Sequence, residues 1–94
     1  MDNEIEDCMP IISKFYGITI RMLRAREFGA RFHAIYGSSE LVVGLWPLDI
    51  LCGEAPGRVK QMVLEWATAH QQELLAAWQK LQWGGAAPAV EPLQ

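Results

Sequence analysis

One histidine and three arginines are the residues of this chain best suited to chemistry on an anion. His33 and Arg31 lie two positions apart in the stretch RFHAIYG, whose alternating polar and apolar residues predict a β-strand. Side chains two apart on a strand point to the same face, so these two should lie together. Arg21 in the preceding stretch ITIR alternates in the same way, and it joins that face if the two strands are neighbours.

This constellation is suited to a site that handles a phosphodiester. Arginine offers a planar fork for phosphate, and histidine can act as an acid or base near neutral pH. His33 is therefore the candidate catalytic residue, and Arg21, Arg31 and Arg24 are candidates for binding an anion or a partner. A solvated sheet face or a protein interface would contain the same residue types, so both interpretations stay open at this point.

The four tryptophans and the second histidine divide into two groups by position. Trp66 and Trp78 repeat at helical spacing with apolar residues, which favours a place in the core. His70 lies on the same stripe and is expected to be a buried, hydrogen-bonded core residue. Trp46 and Trp83 lie near a turn and a helix end, and both are better candidates for a partner surface.

Other common chemistries have no support in the sequence. Cys8 and Cys52 are far apart, and together with the two histidines they match no usual zinc spacing, so no metal and no cofactor are expected. The net charge of −3 argues against a strongly basic nucleic-acid-binding domain. The longest apolar run is too short to span a bilayer, and the acidic N-terminus is unlike a signal peptide. A cytoplasmic location without a membrane partner is therefore predicted.

The apolar periodicity changes once along the chain. Alternating residues between positions 11 and 53 predict four or five short antiparallel strands. From Pro56 apolar residues recur at intervals of three and four as far as Gly84, which predicts one long helix with room for a kink near residues 68–71. The predicted fold class is α+β, a meander sheet covered by the C-terminal helix.

Three segments are expected from these patterns and from local composition. Residues 1–8 form a flexible acidic arm, residues 9–83 a single α+β domain, and residues 84–94 a tail rich in glycine, proline and alanine.

Four segments in this order resemble a bacterial family known as domain of unknown function 4160, over residues 9 to about 78. They read MPIISKFYGITIRM, RFHAIYG, LCGEAP and VLEWATAHQQELLAAW. The resemblance implies a toxin-like member of a toxin–antitoxin pair, with a small protein as its partner. The family usually has an acidic residue and a histidine, two prolines and H-F-H in the connection and strand after Met22. Here Glu27 stands where a histidine is usual, and Gly29 and Ala30 replace the two prolines. Arg31 replaces the first histidine of H-F-H, and His33, the second, remains.

Two functions follow from the resemblance together with the residues. In the first, the chain is the toxin-like component of a bacterial type II toxin–antitoxin pair. It binds a small cognate antitoxin protein and has RNA or another phosphodiester as its candidate target. In the second, it is a non-enzymatic protein-interaction subunit whose family histidine site has degenerated. The sequence leaves open whether the chain is an enzyme and whether it forms a homo-oligomer.

Overall fold

The computed structural model of the chain describes residues 10–23 and 29–94. The predicted acidic arm and Arg24 lie outside these ranges. Within them the chain forms β1 (Ile11–Phe15), β2 (Ile18–Arg21), β3 (Arg31–Tyr36), β4 (Ser39–Leu45), β5 (Leu48–Glu54), α1 (Gly57–Ala69) and α2 (Gln71–Gln82). No helix in the described part of the chain is long and apolar enough to cross a bilayer.

The five strands form one sheet in which every neighbour in sequence is also a neighbour in space. All four pairings are antiparallel, so the sheet is a meander and the predicted α+β class is confirmed. The turn between β1 and β2 has positive φ at both central residues, 51° at Tyr16 and 79° at Gly17. These angles suit the right-handed twist of the two strands, and glycine adopts them readily.

Both helices and one face of the sheet supply the hydrophobic core. The alternation predicted for β3 is confirmed, because Phe32 and Ala34 are buried in this core. The largest fully buried side chains are Trp66, Phe32, Ile12, Ile18, Ile20, Met22, Leu41, Leu45, Leu74, Val43, Val59 and Val63. Each such side chain contributes about 1.5–3 kcal/mol relative to an exposed one, so this inner face fixes which residues point outward.

The helical segment is divided at His70 into two helices, where the sequence predicts a single long one with room for a kink. His70 has φ −120° and ψ 21°, outside the helical range. Its N–H donates to the carbonyl oxygens of Trp66 and Ala67, and its Nδ1 lies 2.9 Å from the Trp66 oxygen. A side chain that bonds the preceding turn in this way competes with the helical backbone for the same acceptor. His70 is half-buried.

The tail contacts the sheet and helix α1 after a defined helix end. Gly84 has a φ of 91°, and the N–H groups of Gly84 and Gly85 donate to Leu81 and Lys80, as in a Schellman motif. Further on, the Val90 N–H donates to the Ile12 carbonyl at 2.8 Å, and Val90 is 3% exposed. The tail therefore lies along the edge of β1.

Gly53 provides a test of the β4–β5 pairing. Its φ is 103°, and a Cβ at this position would overlap the carbonyl oxygen of Glu40 on β4. We expect Gly53→Ala to lower the free energy of unfolding by about 2–4 kcal/mol, because both the backbone angle and the strand contact must change.

Gly57→Ala is the matched control for urea unfolding followed by circular dichroism. A Cβ there meets nothing within 4 Å. Its free energy of unfolding should stay unchanged or rise by up to about 1 kcal/mol. Equal stability of the two variants would contradict the described register of β4 and β5.

Candidate functional site

The sheet brings Arg21 and His33 directly opposite each other. They are register partners in the β2–β3 pair, and Arg31 lies two positions before His33 on the same face of β3. The core residues Phe32 and Ala34 point to the other face. The three residues that the alternation assigned to one face therefore share it, and the described core lies on the opposite side of the sheet.

His33 is held by a carboxylate on the neighbouring strand. Its Nδ1 lies 2.6 Å from Oε2 of Glu40, whose register partner is Ile35, two positions along β3. Such diagonal neighbours are within reach of long side chains. In the neutral ring the carboxylate accepts the Nδ1 proton, which leaves Nε2 as the hydrogen-bond acceptor.

The second ring nitrogen of His33 is shielded from solvent. Nε2 is buried and has no hydrogen-bond partner among the described residues, and the side chain is 15% exposed. The carboxylate–imidazole pair thus has the geometry of an oriented general base. In this conformation the atom that would receive a proton does not face an open cleft.

Arg31 is buried, although arginine on an outer sheet face is usually exposed. Arg31 is 8% exposed, and its Nη1 donates to the carbonyl oxygen of Gly29 at 3.0 Å. This contact fixes the chain where it enters β3, and it leaves little of the side chain open to a ligand. Arg21 is half-buried at the end of β2, and Arg24 lies outside the described residues.

Trp46 is 75% exposed at the turn between β4 and β5. It borders an open groove of about 600 Å³ whose other lining residues are Pro47, Leu48, Thr68 and Gln71. Gln71 Nε2 donates to the carbonyl oxygen of Leu45 at 2.6 Å, so the start of α2 is tied to this turn. The groove therefore borders an exposed indole at a turn whose backbone is tied to α2.

The remaining tryptophans occupy different environments. Trp66 is fully buried, as the helical spacing predicts, whereas Trp78 is half-buried. Trp83 is 80% exposed and lines a second groove, of about 390 Å³, with Trp78, Gln79 and Gln82. Two exposed indoles therefore lie at separate places on the surface.

Glu40 joins the candidate site although alternation along β3 does not point to it. The two-residue turn at Gly37 pairs Tyr36 with Ser39, and the next pair is then Ile35 with Glu40. The signal in the sequence is the GSS turn, because counting strand partners outward from a two-residue turn brings Glu40 diagonally beside His33. The register that this turn fixes therefore identifies Glu40, which the alternation along β3 alone does not.

Metal-ligating residues are dispersed over the described part of the chain. No group of three or more His, Cys, Asp or Glu residues there is arranged to hold a metal ion. Cys52 is an exposed free thiol on β5, and Cys8 lies outside the described residues.

Comparison with protein-family models finds a match to Domain of unknown function (DUF4160) over residues 17–79, which is more than half of the chain. The chain belongs to this family. The predicted resemblance is thereby confirmed, and the DUF4160 match contains Arg21, Arg31, His33 and Trp46. Searches of curated proteins and of solved structures find no match to the chain.

The contact between His33 and Glu40 can be tested through the tautomer of the imidazole. For the neutral imidazole of His33 we expect the Nδ1–H form to predominate in long-range ¹H–¹⁵N correlation spectra. Glu40→Gln should remove this preference, because a neutral amide no longer attracts the Nδ1 proton as strongly.

Glu54→Gln is the control, since Glu54 is the register partner of Glu40 and its carboxylate bonds Lys60 instead of His33. A mixture of tautomers in the unsubstituted chain, unaffected by Glu40→Gln, would contradict the described pair.

Proposed function

We propose that this DUF4160 member is the toxin-like component of a bacterial type II toxin–antitoxin pair and that it binds a small cognate antitoxin protein in the cytoplasm. Membership in the family supports the pair, because the resemblance implies it. The observation that best supports protein binding is the exposure of Trp46 beside its groove.

The surroundings of Trp46 suit a protein contact. Tryptophan is enriched among the residues that contribute most to binding energy, and such residues pair with apolar pockets. The Gln71 hydrogen bond to Leu45 and the β4–β5 pairing hold the turn. The backbone of this turn would then need little ordering when a partner binds, which lowers the entropic cost of association.

A second candidate function is acid–base chemistry on RNA or another phosphodiester, favoured by the 2.6 Å contact between His33 and Glu40. Glu40 would orient the ring, and Arg21 across the strand pair would attract the phosphate. The buried Nε2 and the buried Arg31 give a substrate little access to this face, whereas the exposed Trp46 is open to a partner. The geometry therefore agrees better with an interaction surface than with an open active site.

Induced expression in a bacterial host tests both functions in one experiment. We expect the chain to slow growth and the product of an adjacent small reading frame to restore it. Trp46→Ala should remain toxic but resist neutralisation, with affinity for that product lowered at least about tenfold. Trp83→Ala removes an equally exposed indole elsewhere and should behave as the unsubstituted chain.

His33→Ala, shown to be folded, separates chemistry from binding in the same assay. We expect it to bind the partner with unchanged affinity. Loss of toxicity would assign His33 a chemical role, and retained toxicity would exclude it as the acid or base. A chain that never slows growth would contradict the toxin-like assignment and favour the interaction subunit.

A further inference from the structure

The tail of the chain is bound in the manner of an extended peptide ligand. Residues 85–94 form neither helix nor strand, yet Val90 is 3% exposed, and Ala87 and Leu93 on either side pack against the core. The Val90 N–H donates to the Ile12 carbonyl of edge strand β1 at 2.8 Å. The Trp66 indole N–H donates to the Glu91 carbonyl at 2.7 Å.

These contacts define a site with a recognisable chemistry. It offers a backbone acceptor on a sheet edge, an apolar recess for one aliphatic side chain, and a buried N–H donor for the next carbonyl. Strand addition of this kind takes its affinity from main-chain hydrogen bonds and its specificity from the pocket. The required ligand is therefore an extended peptide with a Val-like residue at the position of Val90.

The sequence of the tail limits how tightly it can be held. Side chains and N–H groups two residues apart on an extended chain point the same way, and the positions two before and two after Val90 are Pro88 and Pro92. Proline has no N–H to donate. The tail can thus make one backbone donation towards β1 at Val90, but not the two that would flank it.

The tail meets the edge of β1 with the backbone donation from Val90 and lacks the two that Pro88 and Pro92 cannot make. The DUF4160 match covers residues 17–79, so Trp66 lies within it, whereas β1 and residues 85–94 both lie outside it. We propose that the edge of β1 and the Trp66 indole form a binding site for an extended peptide. The tail occupies this site, and a proline-free segment of a partner protein competes for it.

The assignment of the competing segment to the small antitoxin-like partner rests on the proposed function. The existence of the peptide site does not rest on that function, because the site is tested with synthetic peptides alone. Loss of the toxin-like assignment would therefore leave the peptide result intact, and a failed peptide experiment would leave the growth assay intact.

The experiment uses the full chain with Val90→Asp, which places a charge in the recess and releases the tail. The ten-residue peptide GAAPAVEPLQ, identical to residues 85–94, is titrated into this variant labelled with ¹⁵N. We expect saturable binding that restores the Trp66 indole resonance of the unsubstituted chain. The same peptide with aspartate for valine should bind at least about tenfold more weakly.

A second peptide, GAAVAVETLQ, replaces both prolines and tests the role of the missing donors. We expect it to bind about threefold to tenfold more tightly for each hydrogen bond that it adds. Affinity equal to that of the aspartate peptide, or no binding to a variant shown to be folded, would overturn the proposal.

Should Val90→Asp fail to fold, the unsubstituted chain serves with a nitroxide attached to the proline-free peptide. Excess peptide should broaden the Trp66 indole resonance by competing with the tail, and no broadening would overturn the proposal. Sedimentation of the unsubstituted chain completes the test. A dimer that Val90→Asp abolishes would assign the site to a second copy's tail and overturn the assignment to a partner.

Discussion

The burial of the Trp66 indole is the interaction on which the rest of this structure depends. The side chain is fully buried on α1, and its ring centroid lies 5.1 Å from that of Phe15 and 5.7 Å from that of Phe32. An indole N–H buried without an acceptor would cost about 1–3 kcal/mol, and the carbonyl of Glu91 supplies the acceptor. His70 adds a third ring, 5.5 Å away, and bonds the Trp66 carbonyl. Sheet, helices and tail thus meet at one residue.

This central packing determines what the opposite face of the sheet can present. Because Phe32 contacts Trp66 in the core, β3 must turn His33 to the other side, where Arg21 lies opposite it. The contact with Glu40 then orients the imidazole. The surface around His33 is a consequence of the core, whereas Trp46 stands outside that core, at a turn held by the start of α2. The proposed interaction surface at Trp46 and the proposed peptide site at β1 and Trp66 are therefore separate regions of the molecule.

Much of the fold could be predicted because its elements follow local patterns. Alternation placed Phe32 and His33 on opposite faces of β3, and the change of period at Pro56 marked the start of the helical segment. The pattern left room for a kink near residues 68–71, but the division into two helices at His70 depends on the backbone angles of one residue, which periodicity does not specify. The burial of Arg31 was also hidden, because alternation assigns a face but does not show what covers it.

The docking of the tail could not be predicted either, because it joins residues that are far apart in the sequence. The tail is rich in alanine and proline and has no hydrophobic period, and the contact of Val90 with Ile12 depends on a strand edge at the other end of the chain.

Hydrogen–deuterium exchange of the tryptophan indoles in one NMR sample tests the central role of Trp66 most directly, with the exposed Trp46 and Trp83 as internal references. The Trp66 indole should exchange at least about tenfold more slowly than these two, because its N–H is buried and bonded. Exchange of all three at one rate would contradict the central role of Trp66.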